Sequence, residues 1–257
     1  MKILFNKKGE KMFNFIEVEF LKLKHSKIFL LTLLGAIAVP SMMFLGLLYR
    51  KANYPEDIIT LQSFLSEINF LFLGLFVVML FCLIIGYLIT REYNEHTLKS
   101  ILTFSISRTK YLVGKYLMSF IWILIVTLVA FLASIVFALI GGVSEVSLNI
   151  IMKMFYQYML GSAILFLSMS PFVFISLIFK NVVPTVIGGS FIFISNSLLF
   201  EQEFAPLSPW LSPYLLVSGK ISEYSYGTTL PILIIIATLI IGFLLSWIYF
   251  NKKDIPL

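Results

Sequence analysis

Six stretches of 20 or more residues in this chain contain no Asp, Glu, Lys or Arg: residues 28–49, 68–90, 116–144, 154–179, 181–200 and 224–251. About 20 mostly apolar residues in a helix cross a bilayer, and the shortest of these runs has 20 residues. Irregular backbone cannot face lipid, so runs this long must be helical. A transmembrane barrel would instead show short alternating segments. The expected fold is an all-α integral membrane protein with six transmembrane helices. These spans and their loops use up most of the 257 residues, leaving no room for a separate soluble catalytic domain. The spans hold no charge for chemistry or proton transfer, so the energy for function is expected from outside the chain.

The net charge of +6 follows the membrane, not a nucleic acid. With the N-terminus in the cytoplasm, 15 of the 19 Lys and Arg residues fall inside and 4 outside. That bias fits the positive-inside rule and predicts both termini in the cytoplasm. Cys82 is the single cysteine, so no intrachain disulfide can form, and it reads as a small buried apolar residue. Ala36–Ala38 resembles a leader cleavage site, but the apolar run continues to Leu48, longer than the core of a signal peptide. An uncleaved first span is expected. Met12 offers an alternative to Met1 as the start.

Ahead of the first span, residues 11–24 interleave apolar and charged side chains. Met12, Ile16, Phe20 and Leu23 share one face of a helix, whereas the alternation from Phe15 to Lys24 also fits a strand. A lone strand would lack a partner. The expected element is an amphipathic elbow helix in the membrane interface, with Phe13, Ile16, Glu17 and Phe20 as its marked residues. It serves as an anchor or as a collar that touches a cytoplasmic partner. Residues 1–27 form this N-terminal unit and residues 28–257 the six-span domain.

Pro40 and Pro171 lie inside spans and are expected to bend them. Ser195-Asn196-Ser197 is a polar cluster at membrane depth. Such groups usually bond a neighbouring helix, and Ser195 and Asn196 are also candidates for a substrate path. The segment 201–223 carries three prolines among aromatic and apolar residues. Too short and broken to cross, it reads as interfacial or re-entrant structure at the outer face, between spans five and six.

Catalytic motifs are missing. Gly114-Lys115 lacks the rest of a phosphate-binding loop. Glu95-His96 has no second histidine nearby, and His25 and His96 are the only two in the chain, so no metal site is expected. Serines in the spans have no His at depth. Ion-coupled carriers usually place ionisable groups in their spans, which makes secondary transport a poor fit. No catalytic residue and no cofactor of its own are assigned to the chain.

The informative loop is 91–115, REYNEHTLKSILTFSISRTKYLVGK. Tyr93, Thr97, Ile101 and Phe104 lie near one helical face, which predicts a short amphipathic helix, a break at Ser105–Ser107 and a basic re-entry into the membrane. Such a helix lies on lipid or docks into a groove of another protein. Arg108 and Lys115 are expected to anchor the loop to lipid headgroups.

The pattern Glu92-Tyr-Asn-Glu95-His-Thr97-Leu98, then Leu102, Ser107-Arg108 and Lys115-Tyr-Leu, resembles the cytoplasmic loop of ABC-2 type transporter permeases. Two positions depart from it: His96 stands where Gly is usual and Ser105 where Pro is usual. With its basic N-terminal helix, the chain is similar to the small bacterial permeases of bacitracin resistance and lantibiotic immunity. The resemblance implies a bacterial cell-membrane protein acting as the permease subunit of an exporter. It implies a second permease subunit, identical or not, and cytoplasmic ABC ATPase subunits that carry ATP and Mg. Arg91, Glu92, Glu95, His96, Thr97, Leu98 and Leu102 would form the ATPase-coupling loop. Spans two and five would line the path of an amphipathic substrate, such as a peptide antibiotic. The alternative is a non-transporting sensor or assembly subunit that recruits a cytoplasmic partner through the same loop. An intramembrane enzyme is the third reading, disfavoured by the missing catalytic pairs.

Overall fold

The computed structural model describes residues 17–23, 26–54, 56–98, 100–101 and 107–252. It is 84% helical, and six helices are long and apolar enough to cross a membrane. The first span is Lys27–Asn53, the second Leu61–Asn94, the third Arg108–Ile140, the fourth Leu148–Ser168, the fifth Val182–Leu199 and the sixth Thr229–Lys252. A short helix over residues 17–23 precedes the first span. Among the described residues the only strand-like pairing is a bridge between Thr60 and Ser144, which pins two loops together.

Several spans exceed their charge-free runs, because charged residues at their ends join the helices. The second span starts at Leu61, well before its charge-free run, with the Thr60 hydroxyl accepting the Ser63 N–H at 3.2 Å. That contact satisfies one of the free N–H groups of a helix start. The third begins at Arg108, eight residues before Tyr116. The second span is the axis of the bundle: 67% of its apolar stretch is buried, against 17% for the fifth and sixth. Within it Phe70–Phe76 forms a π-helix.

Small residues set the close approaches. A Cβ at Gly189 would lie 2.9 Å from the Cys82 Cβ, so the fifth span meets the second only through glycine there. At Gly242 a Cβ would lie 2.5 Å from the Pro171 backbone nitrogen, which brings the sixth span onto the fourth where the fourth breaks. That break falls at Met169, and Ser170–Phe179 continues with Pro171 in its first turn. A proline there tolerates a helix start and not a helix interior. At Pro40 the first span runs on without interruption.

Between the fifth and sixth spans lie a 3-10 turn, Ala205–Leu207, a helix, Ser212–Ser218, and a second 3-10 turn, Lys220–Glu223. Leu211, Tyr214, Leu215 and Ile221 are buried, and the Trp210 indole donates to the Ser168 carbonyl at 3.0 Å. This segment therefore closes the fourth span's broken end.

Candidate functional site

The second span ends in a Schellman turn. Its last helical residue is Asn94. The Thr97 N–H donates to the Glu92 carbonyl at 3.1 Å and the His96 N–H to the Tyr93 carbonyl at 3.3 Å. Such a turn needs a left-handed residue just past the cap, usually Gly. His96 fills that place with φ +54°. The expectation of one amphipathic helix through Tyr93, Thr97 and Ile101 is thus corrected: the chain turns at Glu95–Thr97, and Tyr93 belongs to the second span. A new helical turn starts at Leu98. Leu102, Phe104 and Ser105 lie outside the described residues.

Directly behind this turn sits a ring of four charges. The Lys115 ammonium donates to Glu19 Oε2 at 2.9 Å and to Glu92 Oε1 at 2.7 Å. One Arg91 nitrogen donates to the same two oxygens, at 2.7 Å and 2.9 Å. Acid and base alternate, and the ring is net neutral. All four side chains are at most 4% exposed. The Tyr111 hydroxyl donates to Glu92 Oε2 at 3.1 Å, and Lys22 stands at the rim, 3.9 Å from Glu19 and 4.0 Å from Glu92. The Tyr87 ring lies against the guanidinium, 5.7 Å from its carbon. Glu19 comes from the 17–23 helix, Arg91 and Glu92 from the second span, Lys115 from the third. Three separate elements are thus tied at one point.

Buried ion pairs recover the cost of leaving water only when geometry and further hydrogen bonds are good, and losing one partner leaves an uncompensated charge. Here each charge faces two opposite charges. Glu19 Oε1 and the Arg91 Nε and Nη1 atoms nevertheless have no hydrogen-bond partner.

The structure divides the residues expected to form the coupling loop. Glu95 and His96 are exposed. Thr97 is half-buried, and Leu98 is only 3% exposed, packed into the core. Arg91 and Glu92 are buried in the ring, where their charges pair within the chain. Lys115, expected at lipid headgroups, is fully buried for the same reason. Arg108 is half-buried and donates to the Phe250 and Asn251 carbonyls, both at 3.0 Å, which holds the end of the sixth span. A cation there also complements the negative end of the helix.

In the N-terminal helix the buried face is Glu19 and Leu23, one turn apart, while Glu17 is exposed and Phe20 is 44% exposed. Phe13 and Ile16 lie outside the described residues. Glu19 was missed from sequence because it sits between apolar neighbours in a Lys-rich segment and reads as a solvated charge. The signal was available in principle: two acids and two bases close to span ends on one side of the membrane.

Of the substrate-path candidates, Ser195 is half-buried. Asn196 is fully buried, donating to the Gly74 carbonyl at 3.0 Å and accepting from the Ser208 hydroxyl at 3.2 Å. It joins the fifth span to the π-helix, whose irregular ladder leaves carbonyls in need of partners. Among the described residues no group of three or more His, Cys, Asp or Glu could hold a metal ion.

The chain is thus a bundle of six apolar helices with an exposed turn mounted on a buried ionic clamp. Residues 15–196 match the model of the ABC-2 family of transporter proteins, and the chain belongs to that family. It is also similar to the bacitracin transport permease protein BCRB of Bacillus licheniformis. The two are 34% identical over 206 residues, which cover 80% of this chain and 99% of that one.

Proposed function

We propose that this chain is the permease subunit of an ATP-binding-cassette exporter, working as a dimer with a separate ATPase that binds ATP and Mg. The observation that carries this reading is the exposed Glu95–His96 turn held by the buried four-charge ring. A push on that turn acts on the second span, and the ring shares it with the third span and the 17–23 helix. An exposed feature on a rigid mount is what a soluble motor needs to move helices. The 15 to 4 bias of Lys and Arg argues that this end faces the cytoplasm. The helix at 17–23 then plays the elbow role, and segment 205–223 lies at the outer face as re-entrant structure.

The cargo is an amphipathic molecule moved out of the membrane or the cell. The name of the Bacillus licheniformis relative supports a peptide antibiotic. The test is purification of the tagged protein from its native membranes, with partners identified by mass spectrometry. A stoichiometric ATPase that hydrolyses ATP is the expected result. A six-span protein free of any ATPase, under conditions that keep other complexes intact, would replace this reading with that of a sensor or assembly subunit.

A further inference from the structure

At the end of the bundle away from the ring, a cavity of about 250 Å³ opens between the starts of the second and fourth spans and the segment 200–220. Its wall combines two lysines, Lys153 and Lys220, with the aromatic rings of Phe70, Phe200 and Tyr214. The Lys220 ammonium stands 5.5 Å from the centre of the Phe200 ring, 5.8 Å from that of Tyr214 and 6.0 Å from that of Phe70. Cation–π contacts hold a cation in place without cancelling its charge. Lys220 is thus a positioned positive charge with no ion pair among the described residues. Lys153 is exposed and has no ion pair among the described residues.

One acid, Glu67, also lines the cavity, but Arg50 pairs with it at 3.2 Å. The cavity therefore presents two positive charges with no counter-charge of their own. Asn69 adds a second, independent sign. It is 1% exposed, it lines the cavity, and its side-chain oxygen has no hydrogen-bond partner. Buried polar atoms are nearly always satisfied, and one left unpaired beside a cavity calls for a ligand or water. Burial raises the Tyr214 phenol to about 12, so its hydroxyl stays protonated and able to donate.

We infer that this cavity binds a phosphate group: the two lysines take its charged oxygens, the Asn69 side-chain oxygen accepts from its hydroxyl, and the aromatic wall packs against the apolar body where the phosphate is an ester. A singly protonated phosphate gives the two ammonium groups charged oxygens and keeps one hydroxyl to donate to the Asn69 side-chain oxygen, which a carboxylate lacks. The volume suits a headgroup and is below the usual range for whole drug-sized ligands. Binding here requires neither the ATPase nor the turn at Glu95, so its failure leaves the exporter reading standing, and the reverse also holds.

The experiment titrates the purified chain, in a maltoside detergent free of phosphate, by calorimetry. Three probes are used: dihexanoyl phosphatidic acid, inorganic phosphate and uncharged dihexanoylglycerol. The first should bind once per chain, and Lys153→Gln and Lys220→Gln should each weaken it at least about tenfold, the usual worth of one charged hydrogen bond. Lys153 is exposed, so its substitution leaves the fold intact and keeps the test open if Lys220→Gln misfolds. Binding of phosphatidic acid alone assigns the phosphate to a lipid. Equal binding of inorganic phosphate, lost in the same variants, assigns it to a free ion. No binding of either, equal binding of dihexanoylglycerol, or undiminished affinity in both lysine variants overturns the inference.

Discussion

The two ends of this bundle use charge in opposite ways. At one end Glu19, Arg91, Glu92 and Lys115 are all buried and neutralise each other within 2.9 Å. At the other, Lys153 and Lys220 share a cavity and have no ion pair among the described residues, and the one acid lining it, Glu67, is held by Arg50. A closed ring joins helices and has no charge left for a ligand. An open pair keeps its charge for whatever enters. The lesson is that position and pairing, not residue type, separate a mechanical part from a binding part in a membrane protein.

The largest effects should come from breaking the ring. Glu92→Ala or Lys115→Ala leaves a buried charge uncompensated and should cost about 3–5 kcal/mol. Thermal unfolding in detergent would report it as loss of folded yield. Removing both residues together should cost clearly less than the sum of the two, since they share one network. Strict additivity would contradict a shared ring.

A control between the two ends touches no charge. Gly242→Ala puts a methyl group against the Pro171 backbone, and overpacking of this kind costs about 1–3 kcal/mol. If the charge variants unfold the protein no more than this one does, the ring is not the stronger tie. Smaller still is the turn itself. His96 sits at φ +54°, where an ordinary side chain is strained by roughly 1–2 kcal/mol. His96→Gly relieves the strain but frees the unfolded chain, so it should raise stability by only about 0.5–1 kcal/mol. Stability lost on that change would mean the imidazole makes a contact that outweighs its backbone strain.

Least of all, Glu95→Arg and Lys153→Gln should stay within about 0.5 kcal/mol of the parent, as exposed substitutions do. Their effects should appear only in binding, and at opposite ends: Glu95→Arg in capture of the ATPase, Lys153→Gln in phosphate affinity. A large fall in melting temperature for either one would erase the contrast between tie and ligand site.

The spans were legible in the sequence because lipid leaves no alternative to helices over long uncharged runs. Their ends were not, since Glu67, Arg108 and Lys115 continue the helices past the charge-free runs, each held by a partner within the chain. The position of His96 was legible in another way. The resemblance marks it as a glycine position, and its left-handed backbone supplies the reason. The ring was hidden, because Glu19 and Lys115 are 96 residues apart and no periodicity links them. Leu98 reads from its pattern as a docking residue, yet an apolar side chain on such a face serves the chain's own core equally well, and here it does. The cavity at the opposite end was equally hidden, since Lys153, Lys220 and Asn69 meet only through the packing of three separate segments.

Site-specific crosslinking tests the central claim most directly. The single native cysteine, Cys82, is buried, so a new cysteine at an exposed position can carry a photoreactive label alone. Labels at Glu95→Cys and Lys153→Cys would be activated in native membranes and the adducts identified by mass spectrometry. The account predicts an ATPase adduct from position 95 and none from position 153. An adduct from 153, or none from 95 while the ATPase still co-purifies, would contradict it.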